Sequence, residues 1–225
     1  MVKNPKDRQG SKKSKARKAV KLPVRGKKGA VGKAKGAASP KKVVKGKGPR
    51  LATKAGRELR EVAASVSACL TETGHDPILT GSACAAIYGG KSIKPQSIEF
   101  VIKDYAVDAV NVAMEKLGFV ARSDHSFIKK DCPFEIVLVP APVVAGDDVV
   151  SIFDAVRTAA GSIRLLNPTD CVRQRLSAFY RWGDREALLE ALRVSRRHKV
   201  DMDLIRRWSD WEWAADGFEE FTKSL

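Results

Sequence analysis

The first fifty residues contain no Phe, Trp or Tyr. A segment without aromatic mass, made mostly of Lys, Gly, Ala, Ser and Pro, cannot bury enough apolar surface to offset the entropy of ordering it. Acidic charge is almost missing there too: Asp7 stands against 19 Lys and Arg, a local charge of +18, whereas the other 175 residues hold 23 basic against 25 acidic side chains. The expectation is a disordered Lys-rich tail over 1–50 ahead of a folded part. Long apolar runs are also lacking. The stretch 136–145 is far shorter than a bilayer and contains Pro140 and Pro142, which excludes a membrane-spanning helix. The basic segment has neither the apolar core of a secretory signal nor an amphipathic transit-peptide pattern. Cys69, Cys84, Cys132 and Cys171, and His75, His125 and His198, are dispersed without paired spacing, so no disulfide framework or zinc site is signalled. A cytoplasmic location fits these absences.

What is present begins after Pro49. Leu59, Val62, Val66 and Leu70 recur at three- and four-residue steps, predicting an amphipathic helix that stops near Gly74. A short strand over 77–80, a turn at Gly81 and Ser82, and a small-residue helix over 83–88 closed by Gly89 and Gly90 follow. In 96–103, Ile98, Phe100 and Ile102 alternate with Ser97, Glu99 and Val101, the period of a strand. A helix over 106–117 and strands over 119–121, 127–129 and 134–139 complete a mixed sheet. Asp147 and Asp148 mark a mobile loop before a helix or turn over 150–158. Beyond Pro168 the pattern is helical, with helices expected near 169–181, 184–197 and 203–213. The expected organisation is a tail over 1–50, an α/β core over 51–148 and a helical part over 149–225.

The chemistry-bearing residues cluster in the middle of the chain. Gly81 and Ser82 free backbone N–H groups at a helix start, where those donors and the helix dipole stabilise a phosphate. Glu99 and Glu135, on neighbouring strands, could together hold one Mg2+ against a nucleotide's phosphates. Lys91 and Lys94 could face a triphosphate, or be solvated loop lysines. The bland alternatives are an ordinary strand-to-helix turn at Gly81-Ser82 and solvated strand faces at Ser97, Glu99 and Glu135.

The run Thr80-Gly81-Ser82-Ala83-Cys84-Ala85-Ala86-Ile87-Tyr88-Gly89, followed by Ser97-Ile98-Glu99-Phe100-Val101, resembles the glycine-serine entry and Asp-x-Asp strand of the nucleotidyltransferase superfamily, in particular its minimal and abortive-infection-toxin-like branches. The stretch from Leu166 to Arg185 also resembles the helical part of uncharacterised bacterial proteins predicted to share that fold. The resemblance implies an α/β (α+β) mixed sheet flanked by helices with a helical C-terminal part, a nucleoside triphosphate substrate, and Mg2+ held by carboxylates. By position Ser97 takes the place of the first acid, Glu99 the second and Glu135 the third. The acidic motif is thus degenerate: Ser97 carries no charge and Glu99 is one methylene longer than Asp.

The basic segment resembles linker-histone tails. Its Lys12, Lys13, Lys15, Arg17, Lys18, Lys27, Lys28, Lys41 and Lys42 are candidates for neutralising DNA or RNA phosphates without reading sequence. Arg173, Arg181, Arg193, Arg196, Arg197, Arg206 and Arg207 are candidates for a second basic face. Trp182, Trp208, Trp211 and Trp213 are expected mostly in helix packing, with Cys84 and Cys171 as small buried hydrophobes. Two functions remain open: Mg2+-dependent nucleotide transfer to an unknown acceptor, or a catalytically inactive scaffold that binds nucleic acid or a partner protein, as in a toxin-antitoxin pair.

Overall fold

The computed structural model describes residues 54–103 and 105–225; the expected tail, with Lys12, Lys13, Lys15, Arg17, Lys18, Lys27, Lys28, Lys41 and Lys42, lies outside the described residues. In α1 (Lys54–Glu72) the stripe Leu59, Ala63, Val66 and Leu70 is buried, as helical spacing requires. There follow β1 (Ile78–Thr80), α2 (Gly81–Gly89), β2 (Ser97–Ile102), α3 (Val107–Lys116), β3 (Val120–Ser123), β4 (Ser126–Ile128) and β5 (Glu135–Pro140). A small ribbon of β6 (Val144–Ala145) and β7 (Asp148–Val149) leads to a hairpin of β8 (Phe153–Thr158) and β9 (Gly161–Leu166). The chain ends in α4 (Pro168–Trp182), α5 (Arg185–Ser195), α6 (Met202–Trp211) and α7 (Ala215–Lys223).

The seven-stranded sheet runs β3-β4-β5-β2-β1-β9-β8. β2 is parallel to β5 and β1 to β9, and the other neighbours are antiparallel. This is the expected mixed sheet with flanking helices and a helical C-terminal part. The helix or turn expected over 150–158 is instead largely strand β8. As an edge strand β8 is exposed or half-exposed along its whole length, so its sequence carries no apolar alternation. β9, with buried Ile163 and Leu165, joins β1, and the sheet therefore draws two strands from beyond residue 148. The helix α7 was also unexpected.

The sheet's two faces differ. Leu79, Ile98, Phe100, Ile102, Ile136 and Leu138 form a fully buried face, each side chain contributing about 1.5–3 kcal/mol of burial. The alternate residues Ser97, Glu99, Glu135 and Val137 are only partly covered. The expected helix starts hold: Asn167, Asp184 and Asp201 each accept a backbone N–H of the first turn of α4, α5 and α6, capping otherwise unpaired donors. No helix among the described residues is long and apolar enough to cross a membrane.

Candidate functional site

The site is built where β1 runs into α2. Gly81 has φ +66, a left-handed conformation that side-chain-bearing residues seldom adopt. A Cβ at this glycine would lie 3.6 Å from Glu99 Oε1, so the Glu99 carboxylate sits directly beside the turn. The Thr80 hydroxyl donates to that same oxygen. Ser97 is the register partner of Glu135, and Glu99 that of Thr80 on one side and Val137 on the other. The three residues assigned to the acidic motif therefore share one face of adjacent strands. Arg122 pairs with Glu135 at 3.3 Å, a solvent-facing pair of little energetic weight.

Two donors at the turn are engaged within the chain. The Gly81 N–H donates to Gln174 Oε1 at 2.8 Å and the Ser82 hydroxyl donates to Glu190 Oε1. Glu190 is buried and also pairs with Arg175 at 3.3 Å. Gln174 comes from α4 and Glu190 from α5, so the helical part closes the turn that the sheet presents. Nothing in the spacing around Gly81 signals either residue, because both lie more than ninety positions away.

Lys91 and Lys94 are not beside this turn. They follow the far end of α2, whose nine residues span roughly 13 Å. There, with Arg60, they line a cavity of about 260 Å3 floored by Leu59, Ile87, Ile93 and Phe134.

Among the described residues no group of three or more His, Cys, Asp and Glu is arranged to hold a metal ion. Glu99 and Glu135 are the carboxylates on the shared face, set diagonally, with neutral Ser97 opposite Glu135 and Val137 opposite Glu99. Two-ion chemistry needs carboxylates that bridge both ions, and this donor set does not fit a Mg2+ pair.

The arginine-rich helices are mostly matched internally. Arg173 is buried rather than surface-exposed; it pairs with Asp148 and with Asp170 at 2.8 Å, and lies 5.1 Å over the Trp208 ring. Arg181 pairs with Asp147 at 2.7 Å and Glu212 at 2.8 Å, Arg193 with Glu186 at 3.2 Å, and Arg206 with Asp203 at 3.7 Å. The tryptophans depart from expectation. Trp208 is 4% exposed, whereas Trp182, Trp211 and Trp213 are 79%, 84% and 96% exposed. Trp213 has φ +55. Its N–H donates to Asp210 and that of Ala214 to Ser209, the bonding of a helix end whose left-handed position usually takes glycine. Cys84 and Cys171 are buried free thiols, and burial raises Cys84 well above the ordinary thiol range.

No family model and no curated protein matches this chain. Among solved structures it is similar to the crystal structure of an antigenic nucleotidyltransferase-like protein from Paracoccidioides brasiliensis, at 16% identity and a TM-score of 0.47, covering 61% of this chain and 74% of that one. A likeness of that size establishes neither shared family nor shared activity.

Proposed function

We infer that this chain is a binding protein on a nucleotidyltransferase-like scaffold that does not transfer nucleotides, and that it engages nucleic acid through the basic residues of segment 1–50. One observation carries the first half: the Gly81 N–H and the Ser82 hydroxyl, two of the donors that a phosphate at this turn would meet, end on Gln174 and Glu190 of the same chain. A phosphate seated on the Gly81 N–H and the Ser82 hydroxyl would have to displace Gln174 and Glu190 from them, and displacing Glu190 disturbs its pair with Arg175. The second half rests on charge. A local +18 over fifty residues neutralises phosphates and releases counterions regardless of base sequence.

Anisotropy of a labelled single-stranded RNA and a DNA duplex, titrated with the full chain, tests this reading. Affinity is expected to fall steeply, by orders of magnitude, between about 50 and 200 mM salt. It is also expected to drop when Lys12, Lys13, Lys15, Arg17 and Lys18 are replaced by Gln. Unchanged affinity in that variant would place the nucleic-acid surface elsewhere.

A second reading, Mg2+-dependent nucleotide transfer, is favoured by the common face of Ser97, Glu99 and Glu135 beside Gly81. It requires labelled nucleoside triphosphate to be transferred in Mg2+ or Mn2+, the activity to vanish in Glu99→Ala and to rise in Ser97→Asp. The binding reading expects no transfer from any of the three proteins.

A further inference from the structure

We propose that the cavity at the C-terminal end of α2 is a binding site for a small organic anion, whose oxyanion head takes Arg60 and whose apolar body lies on Leu59, Ile87, Ile93 and Phe134. The cavity holds about 260 Å3, just below the range of drug-sized ligand sites. Among the described residues its charged lining is Arg60, Lys91 and Lys94 against the carboxylate Glu58.

Arg60 is the decisive group. Its Nη2 donates to the Ile87 carbonyl at 3.0 Å, and its buried Nε has no hydrogen-bond partner among the described residues. Arg173 and Arg175 also have a buried unpartnered Nε, but each is paired with a carboxylate through its Nη atoms. Arg60 forms no such pair among the described residues and is held only by a neutral carbonyl. Burial pushes its guanidinium below the ordinary value. A half-buried cation without a carboxylate partner among the described residues, in the lining of an apolar hollow rimmed by two exposed lysines, lacks an anion. Arginine's planar fork matches a carboxylate or a phosphate, so the head group is an oxyanion of either kind.

The test is methyl NMR of the full chain titrated with hexanoate and with hexyl phosphate, using hexanol and hexylamine as uncharged and cationic controls. Saturable shifts are expected at the methyl groups of Leu59, Ile87 and Ile93 with at least one anion. The controls should bind at least about tenfold more weakly, the worth of a charge-assisted hydrogen bond. Arg60→Met, which keeps the apolar stem, should weaken the anion by a similar factor. The double variant Lys91→Glu, Lys94→Glu alters only exposed side chains and should weaken it severalfold even if the Arg60 variant folds poorly. Preference between hexanoate and hexyl phosphate identifies the head group. Equal binding of hexanol and the anions, shifts only outside these methyl groups, or affinity unchanged in the charge variants would overturn the proposal.

Discussion

The two ends of α2 handle polar groups in opposite ways. At its start, the Gly81 N–H and the Ser82 hydroxyl are taken by Gln174 and Glu190, and Glu190 is neutralised in turn by Arg175. At its finish, Gly90 leads into a hollow where Arg60 has a carbonyl but no carboxylate, and an idle Nε, among the described residues. The start resembles a ligand site in sequence yet has two of its donors taken within the fold, whereas the finish, marked in sequence by Lys91 and Lys94, is left open. A Gly-Ser turn is therefore an offer of donors, and only the tertiary partners decide whether the offer stands.

Substitutions at the two ends should separate them. The largest effect is expected for Glu190→Ala, which leaves the largely covered Arg175 without its partner and strips the Ser82 hydroxyl of its acceptor. Urea unfolding should show a loss of about 3–5 kcal/mol, with a smaller loss for Glu190→Gln. Next is Gly90→Ala. Gly90 has φ +83 and ψ −164, a backbone combination essentially reserved for glycine, and a Cβ there would also push aside the exposed Arg197 guanidinium. Gly81→Ala meets only the left-handed penalty of about 1–2 kcal/mol, since its Cβ has room beside Glu99. The melting temperature should therefore drop further for Gly90→Ala.

A third probe sits between the ends. Tyr88 is buried on α2 and donates to the Leu166 carbonyl at 2.8 Å and to Asp154 at 3.3 Å. Burial raises its phenol far above the ordinary value. The unfolded chain would thus lose this proton first, near pH 10, so stability is intact below that pH and declines as pH rises further. Tyr88→Phe should cost about 1 kcal/mol at neutral pH and flatten the alkaline decline in denaturation midpoints. The smallest effect is expected for Arg60→Met, within about 1 kcal/mol of the parent, because the lost bond to the Ile87 carbonyl is offset by removing a half-buried cation that has no carboxylate partner among the described residues. If its urea midpoint falls as far as that of Glu190→Ala, the contrast between the two ends is wrong.

Elements with a regular period were legible in advance. The alternation of Ile98, Phe100 and Ile102 and the stripe through Leu59, Val66 and Leu70 specify a buried face, and the structure has it, with Val101 covered on the other face of the strand as well. The strand β8 was not legible, since an edge strand with little burial on either face leaves no alternation to read. Phe218 and Phe221 are three apart and do mark α7, but Gly217 beside them masks it. At the site, the neighbourhood of Gly81, Ser97, Glu99 and Glu135 follows from strand order. Its closure by Gln174 and Glu190 depends on how α4 and α5 pack, which no local pattern encodes. Trp211 lies three residues after buried Trp208, yet the covered stripe of α6 does not extend to that last turn.

The outward-facing indoles change how this molecule can be watched. With Trp182, Trp211 and Trp213 already in water in the native state, their emission should be red-shifted and open to acrylamide quenching before any denaturant is added. Trp208, whose ring N–H donates to the Ala145 carbonyl at 3.1 Å, is the one fluorophore of the four that changes medium on unfolding. Total intensity therefore reports events at the C-terminal rim, while loss of structure is better followed by far-ultraviolet circular dichroism.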